Sequence, residues 1–282
     1  RPVELDRAPR PRRRSSATIS AAVACLAFSQ AMTHSKLRMR TFKEHCEAFP
    51  RAERHSLSVI IPTLNAAPYL RNVFLSIFDA AIEGLVGEVI ISDGGSSDDT
   101  RAIAEAAGAT VIDSPCGRGP QLRAGAEIAS TPWLLFLHAA TALAVGWEEA
   151  VRSFIAEDGT RAAAFRLRLA DEGVLPRAFE AMTAVRCRLF GLPSGHQGLL
   201  VSRRLYEAAG GFAPIPLMED VDLARRLGRI AMLNADAIAS AERFRGEGYV
   251  RRSARNLLCL SLYLWGVPPE RLAQIHREAR VH

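Results

Sequence analysis

Two short β-branched runs that end abruptly in polar residues constrain the fold of this chain more than any other feature. The first spans 57–62 and leads into Thr63 and Asn65, and the second spans 88–92 and leads into Asp93 and a Gly-Gly turn. An amphipathic helical pattern follows each run. Continuous apolar strands that alternate with helices are typical of a parallel sheet covered on both faces. Because ligands bind at the carboxyl ends of such strands, the sequence predicts a site at these two turns.

The pattern continues over the next segments and predicts an α/β fold. In the first helix, apolar residues recur at helical spacing and form one buried stripe: Leu70, Val73, Phe74, Ile77 and Phe78. After the second run, Ser97 is predicted to cap a helix with Asp98 and Asp99 in its first turn, and Gly108 ends it. Further strands are predicted at 110–113 and 133–137, separated by a helix that ends near residue 130. The order is β-α-β-α-β-α-β.

The second half of the chain is less regular. Alternating residues at 165–169 predict a strand with one wet face, and 198–201 predicts another strand. Helices are predicted over 175–190 and 219–227. The sheet is therefore expected to be mostly parallel, with helices on both faces and further helices towards the C-terminus.

Composition divides the chain into three parts. Residues 1–55 begin with an Arg/Pro-rich segment and an apolar stretch at 17–28, which resembles a secretory signal. The stretch is too short and too rich in Ser and Thr for a membrane span, so a poorly ordered or atypical extension is the preferred interpretation. Residues 56–245 form the predicted α/β domain. Residues 246–282 are predicted to be helical, and their apolar run at 257–265 favours burial against the domain over a membrane interface.

Charge and cysteine content limit the classes of partner. The net charge is +6, with arginines clustered near both ends, and such clusters suit nucleic acid, anionic lipid or phosphate-bearing substrates. No nucleic-acid-binding signature accompanies them, so no nucleic acid partner is predicted. The five cysteines are scattered without a C-x-x-C pair, which favours a reducing compartment over a disulfide framework or a zinc site. The predicted location is cytoplasmic, with peripheral membrane contact left open.

Asp93 has two interpretations. A carboxylate at a strand end before two glycines can accept hydrogen bonds from a base or ribose, or it can cap the next helix as a turn residue. The sequence around Asp93 leaves both open, and the neighbouring Thr63 and Asn65 favour a nucleotide pocket.

Arg118, Gln121 and His138 follow the third and fourth strands. A Gly-rich helix start with an arginine suits a phosphate group, although Arg118 could also be an exposed loop residue. His138 could be a ligand, but two alanines follow it, whereas Mg²⁺ and Mn²⁺ prefer carboxylate oxygens. No metal site is therefore predicted at the end of the fourth strand.

Glu219 and Asp220 open the helix predicted over 219–227. The helix dipole stabilises carboxylates at this position, which is a sufficient structural explanation. The functional alternative is that Asp220 is a general base that deprotonates an acceptor hydroxyl.

Six segments in this order resemble family 2 glycosyltransferases: Ser58–Asn65, Glu88–Thr100, Arg118–Gln121, Leu135–His138, Gly210–Phe212 and Leu217–Leu223. More narrowly, the chain is similar to the group called radical-SAM/selenodomain-associated glycosyltransferases. The resemblance runs from about Leu57 to the C-terminus.

The resemblance implies a GT-A (Rossmann-like) domain over 56–245, a nucleotide-diphosphate sugar donor with a UDP-sugar favoured, and inversion at the anomeric carbon. Its acceptor is unknown. By position, the residues around the nucleotide are Pro62, Thr63, Asn65, Asp93, Gly94, Arg118, Gln121 and His138. Asp220 corresponds to the catalytic base, with Glu219 beside it.

Two positions depart from the family pattern. Ala140 stands where members usually have an Asp in a His-Ala-Asp-Thr metal motif, and His196 stands in a segment that is commonly Gly-Asp-Gln. Losing the first carboxylate places Mn²⁺ or Mg²⁺ binding in doubt. The sequence fits an active or metal-independent enzyme as well as a catalytically impaired nucleotide-sugar-binding protein. A nucleotidyltransferase is disfavoured, since the segment 65–68 lacks a Gly-rich loop with a lysine.

Overall fold

The computed structural model describes residues 56–157 and 160–281, with side chains described up to residue 275. In this part of the chain, eight strands form one sheet. They are β1 (Leu57–Thr63), β2 (Val86–Asp93), β3 (Thr110–Asp113), β4 (Trp133–Phe136), β5 (Thr141–Leu143), β6 (Ala162–Leu169), β7 (Leu199–Ser202) and β8 (Ile230–Ala239).

Helices connect and flank the strands. They are α1 (Ala67–Ile82), α2 (Thr100–Ala106), α3 (Arg118–Ile128), α4 (Trp147–Glu157), α5 (Val174–Phe190), α6 (Arg203–Ala208), α7 (Glu219–Leu227), α8 (Glu242–Glu247), α9 (Tyr249–Leu264) and α10 (Pro269–Val281). A short 3₁₀ turn covers Gly195–Gln197.

The strand order is β3-β2-β1-β4-β7-β6-β8-β5. β1 pairs in parallel with β2 and β4, and β3 pairs in parallel with β2. β7 runs antiparallel between β4 and β6, β8 is parallel to β6, and β5 is an antiparallel edge strand on β8. The sheet is therefore mixed and mostly parallel, which confirms the predicted α/β class.

β1 shows why its run is apolar throughout. Leu57, Val59 and Ile61 pack on the face that α1 and α4 cover, whereas Ile60 packs on the opposite face with α3 and α7. All seven residues of β1 are buried. Each fully buried large apolar side chain stabilises the fold by about 1.5–3 kcal/mol relative to exposure. The central strands therefore fix the sheet, and their carboxyl ends emerge together at one edge.

The stripe predicted for α1 is confirmed at four of its five residues, whereas Phe78 is only partly buried. Leu70, Val73 and Ile77 are buried against the sheet. Phe74 packs partly buried against the same core. Trp147 of α4 adds to this layer and donates a 2.9 Å hydrogen bond from its indole nitrogen to the carbonyl of Ser76.

The predicted start of the second helix is wrong. α2 begins at Thr100 with Asp99 at its N-cap position and without a side-chain cap from that residue, while Asp98 Oδ1 accepts the backbone N–H of Thr100 at 3.0 Å. Ser97 instead donates its backbone N–H to Asn65 Oδ1 at 2.8 Å. Ser97 is therefore engaged with Asn65 and does not cap α2, and Asp98 satisfies one of the N–H groups that the helix start leaves unpaired.

The preference for burial of the run at 257–265 is also wrong in part. α9 buries Arg252, Arg255, Cys259 and Leu260. Four large apolar residues of the run are exposed, whereas Leu262 and Tyr263 are half-buried. The exposed residues are Leu257 (56%), Leu258 (52%), Leu264 (47%) and Trp265 (87%). The helix turns its arginine-bearing face inwards because Arg252 and Arg255 both pair with Glu247. Within the described residues, no helix combines the length and apolar character needed to cross a bilayer.

Candidate active site

The carboxyl ends of β1 and β2 meet at Thr63 and Asp93, which are register partners. Thr63 Oγ1 donates a 2.9 Å hydrogen bond to Asp93 Oδ1, and the backbone N–H groups of Gly95 and Ser96 donate to Oδ2 at 3.1 and 2.8 Å. Asp93 is fully buried. Burial acts to raise its pKa, but the hydrogen bonds from Ser96 and Thr63 outweigh it and hold the pKa of Asp93 below its usual value.

These contacts favour the turn role for Asp93, one of the two interpretations that the sequence left open. Its oxygens are engaged by the 93–96 turn, by Thr63 and by Arg101, whereas the backbone of Gly95 is exposed. Gly94 is partly exposed, and a Cβ there would lie 3.1 Å from Gln121 Nε2, so a side chain would crowd the turn. Asp93 therefore shapes the edge of the crevice, and Gly94 lets the chain pass over Gln121.

Asn65 joins the two turns. Its backbone N–H donates to Ser96 Oγ at 2.9 Å, while its side-chain oxygen accepts from Ser97. Its φ of 51° lies in the left-handed region, which asparagine tolerates better than most residues. The two polar turns thus form one cross-linked rim at the sheet edge.

Gln121 lies beneath this rim and not in the crevice. It is 3% exposed, and its Nε2 donates to the carbonyls of Thr63 and Ser92 at 2.7 and 2.8 Å. Both amide hydrogens are therefore used to tie β1 to β2. This geometry makes Gln121 a positioning residue and not a direct nucleotide contact.

Arg118 and Glu219 form an ion pair between the starts of α3 and α7. Arg118 Nε lies 2.6 Å from Glu219 Oε1. The guanidinium is about a third exposed, whereas Glu219 is buried, and burial raises the pKa of Glu219 while Arg118 opposes the rise. The charge of Glu219 in turn raises the pKa of Arg118. Glu219 therefore holds Arg118 in place, and it lines the same small cavity as Asp220 although little of its surface is exposed.

Asp220 is partly exposed and faces the cavity beside Arg118 and His138. Its Oδ2 accepts the backbone N–H of Gly195 at 2.8 Å, and its Oδ1 accepts that of Val221 at 2.9 Å. A Cβ at position 195 would lie 3.3 Å from both Asp220 Oδ2 and Arg118 Nη1. Gly195 thus permits a close approach that a larger residue would disturb.

Met218 precedes this pair of carboxylates with a φ of 67°, in the left-handed region. A non-glycine residue in this conformation stores strain that the surrounding structure must offset. Here the turn at Met218 redirects the chain from the 214–217 segment into α7. It therefore sets the direction in which Glu219 and Asp220 leave the helix start.

The rings of His138 and His196 are in contact, with centroids 4.4 Å apart and ring planes tilted by 49°. His138 Nδ1 accepts the backbone N–H of Ala140 at 3.1 Å. Burial, followed by His196 and Arg118, lowers the pKa of His138 well below its ordinary value, and burial with Arg118 lowers that of His196 to about 3. Both rings are therefore neutral near pH 7. Sequence reasoning noted His196 only as a departure from the Gly-Asp-Gln segment, and that departure was the signal that it belongs to the site.

Two cavities meet at these residues. The smaller, of about 40 Å³, is lined by Pro62, Arg118, His138 and Asp220, among others. The larger, of about 280 Å³, shares Arg118, His138 and Asp220 and continues to His196 and the arginines of α5, α8 and α9. Five of the residues that the sequence marked line the cavities: Pro62, Arg118, His138, Glu219 and Asp220. Thr63, Asn65, Asp93 and Gly94 form the neighbouring rim.

The side chains at the end of β4 do not fit a divalent metal ion. His138 is followed by Ala139 and Ala140, and its Nδ1 already accepts a backbone hydrogen bond. In the part of the chain that the structure describes, no three His, Cys, Asp or Glu side chains come together in a way that could hold a metal. Mn²⁺ and Mg²⁺ take oxygen ligands, mainly carboxylates.

Comparisons with known proteins agree with this geometry. Residues 58–188, a little under half of the chain, match the model of the family described as glycosyl transferase family 2. The matched region contains the strand-end rim, Arg118, Gln121 and His138. The match ends before Asp220. A comparison with proteins of curated function found no match.

Crystal structures of one protein, TarS, show the same fold. The crystal structure of S. aureus TarS 1–349 is 16% identical, with a TM-score of 0.51 over 73% of this chain and 64% of that one. The same fragment solved with UDP is 18% identical, with a TM-score of 0.50 over 70% and 63% of the two chains. Glucosyl-3-phosphoglycerate synthase from Mycobacterium tuberculosis, solved with Mn²⁺, UDP and glucosyl-3-phosphoglycerate, is 24% identical, with a TM-score of 0.46 over 67% and 71%. The chain thus spans less than two thirds of the TarS fragment, and the likeness confirms the GT-A fold.

Proposed function

We propose that this chain is an inverting glycosyltransferase that moves a sugar from a nucleotide-diphosphate donor, with a UDP-sugar favoured, to an acceptor hydroxyl. One observation carries the proposal. Asp220, held by the N–H of Gly195, faces a cavity that also contains Arg118 and His138, next to the strand-end rim of a family 2 domain. UDP and UDP-GlcNAc in the TarS crystals support the choice of donor.

In this proposal the rim holds the nucleoside. Asn65 fixes the 63–66 and 93–97 turns against each other, and Gln121 fixes the strands below them. The exposed backbone of Gly95 and the small Gly94 let a ligand approach closely. Pro62 links the rim to the cavity at Asp220.

The reaction uses Asp220 as the general base. The acceptor oxygen attacks the anomeric carbon as the carbon–oxygen bond to the diphosphate breaks, and the electron pair of that bond leaves with the nucleoside diphosphate. The proton of the acceptor hydroxyl passes to Asp220. Arg118, kept cationic and oriented by Glu219, stabilises the negative charge that develops on the departing diphosphate. Attack from the face opposite the leaving group inverts the anomeric carbon.

The second candidate is a protein that binds nucleotide sugars without transferring them. Ala140 favours it, because the family motif has a carboxylate at that position and the described residues around it supply no replacement. We also predict that the chain belongs to the radical-SAM/selenodomain-associated group and that its location is cytoplasmic.

Calorimetric titration of UDP, UDP-glucose and UDP-GlcNAc tests the proposal, with and without Mn²⁺, on the native chain and on Ala140→Asp. We expect at least one UDP-sugar to bind the native chain without Mn²⁺ and to be turned over. Metal-dependent transfer in Ala140→Asp alone would support the second candidate. Failure of all three ligands to bind either form would remove the donor site.

A further inference from the structure

An apolar groove runs between α5 and α9 and opens at the surface. We call it the α5–α9 groove, and its volume is about 440 Å³. Its apolar lining includes Met182, Val185, Phe190, Leu257, Leu260 and Leu264. Phe190 and Leu257 are 70% and 56% exposed. A concave apolar surface of this size is of the kind that takes an apolar ligand.

The inner end of the groove is continuous with the cavity at Asp220. Arg186, His196, Arg252 and Asn256 line both spaces. A molecule that enters between the two helices therefore passes from apolar side chains to cationic ones. It then reaches the carboxylate to which we assign the proton transfer.

This inner end carries excess positive charge. Arg252 is paired with Glu247 at 2.8 Å, and Arg118 is paired with Glu219. Arg186 and Arg243 have no carboxylate of the described residues within ion-pair distance. The Nε atom of Arg186 is buried and has no hydrogen-bond partner in the described structure. A buried donor without a partner is costly, so the geometry calls for an acceptor supplied from outside.

We propose that the acceptor is an amphiphile with a hydroxyl beside a phosphate-type anionic head and a single apolar chain. The head lies among Arg186, Arg243 and His196, and the chain lies in the α5–α9 groove. The inference rests on the proposed function, because it assigns the acceptor of the same site.

The charge pattern supports this occupant over a neutral one. A guanidinium such as that of Arg186 is suited to donate two hydrogen bonds to one phosphate. His196 is neutral near pH 7, because its pKa is lowered to about 3, and adds no further charge. An uncharged lipid would leave the Arg186 donor unmet, and a small anion would leave the apolar lining exposed. Only a ligand with both parts uses both ends of the space.

Binding of decanoyl lysophosphatidylglycerol to the full chain, below its critical micelle concentration, tests the inference by calorimetry. The matched ligands are decanoyl lysophosphatidylcholine, whose head is zwitterionic, and glycerol phosphate, which has no tail. We expect each matched ligand to bind at least about tenfold more weakly than the anionic lipid.

Two pairs of variants locate the binding. Leu257→Asp and Arg186→Met should each weaken binding of the anionic lipid at least about tenfold. The controls Leu75→Asp, an exposed leucine on α1, and Arg188→Met, an exposed arginine on α5, should leave it unchanged. UDP binding, titrated on the same samples, should be retained by all four variants and reports the donor site separately.

Three results would overturn the inference. The first is that the anionic lipid does not bind a chain that still binds UDP. This result would leave the proposed function intact. The second is that glycerol phosphate or pyrophosphate binds as tightly as the lipid and that Leu257→Asp does not change lipid binding. This result would assign the cationic end to a soluble phosphate or to the donor diphosphate. The third is equal affinity for the two lysolipids, which would show that the site does not discriminate between their head groups.

Discussion

Arg118 Nε lies 2.6 Å from Glu219 Oε1, and this ion pair joins the first turn of α3 to the first turn of α7. The contact places a cation from one side of the site beside the base candidate from the other, since Asp220 follows Glu219 directly. Removing the carboxylate should therefore affect both the stability and the chemistry of the site.

We expect Glu219→Gln to lower the free energy of unfolding by about 1–3 kcal/mol, because it weakens a buried charge-assisted contact while Arg118 keeps partial access to water. Sugar transfer should fall as Arg118 loses its orientation. Urea denaturation measures the first effect. Arg118→Gln and the double variant complete the cycle, and strictly additive losses would show that the two residues do not act together.

Gly119→Ala should destabilise the chain through α3. A Cβ at this position would lie 2.5 Å from the carbonyl oxygen of Ala213, a backbone atom that cannot turn aside. We expect a loss of about 1–3 kcal/mol in unfolding free energy, despite the better helix propensity of alanine. Gly246→Ala in α8 is the matched control, since nothing lies within 4 Å of its Cβ. A gain in thermal stability for both variants would contradict the close approach.

Gln121→Glu should remove the side-chain contact that ties the carboxyl ends of β1 and β2 together. The substitution replaces an N–H₂ donor, which serves the carbonyls of Thr63 and Ser92, with an acceptor that faces them. We expect a loss of about 1–3 kcal/mol in stability and weaker UDP binding, because two buried carbonyls lose their partner. Glu127→Gln on the exposed side of the same helix should change neither quantity. If Gln121→Glu is destabilised but keeps its affinity for UDP, the hydrogen bonds of Gln121 are not needed for nucleotide binding at the rim.

Lowering the pH should reduce the free energy of unfolding through His138 and His196, whose rings are in contact. Burial and neighbouring Arg118 lower the pKa of His196 to about 3, and the pKa of His138 is lowered as well, so the folded chain holds both rings neutral. Below about pH 6.5, the unfolded chain binds protons that the folded chain does not, and stability falls by at most about 1.4 kcal/mol per pH unit for each ring. The lowered pKa of Asp93 acts in the same direction at still lower pH.

Melting temperatures at pH 7.5, 6.5 and 5.0 measure this effect. The native chain should be nearly constant from pH 7.5 to 6.5 and then fall, and His196→Gln should fall less. The groups that face His196 include Arg118, Arg243 and Arg252, which all oppose its protonation, and Asp220, which favours it. Identical pH profiles for the two proteins would remove His196 as a source of acid lability.

Much of the central sheet could be predicted because its signal is local. The runs that became β1 and β3, and the helix from Glu219 to Leu227, each combine a clear period with a turn residue at the end. The edge strand β5 and the long strand β8 were not predicted. β5 has three residues and gains its strand conformation only by pairing with β8, which comes about ninety residues later.

The site shows the same division. Position in the chain was enough to mark Arg118, His138 and Asp220, which the fold brings to one cavity. Burial of Gln121 and Glu219 depends on how α3 and α7 pack, so their supporting roles could not be read from residue type. The ring contact between His196 and His138 joins two loops that are distant in sequence. In the sequence, the only local indication of this contact was an unexpected histidine between Gly195 and Gln197.

Release of UDP from the UDP-sugar that binds best tests the central claim most directly, when native chain and Asp220→Asn are compared. Asparagine keeps the size of the side chain and can still accept the N–H of Gly195, but it cannot take a proton. We predict that UDP release falls by about a hundredfold or more while UDP affinity is unchanged. An unchanged rate of UDP release in Asp220→Asn would contradict the assignment of Asp220 as the base.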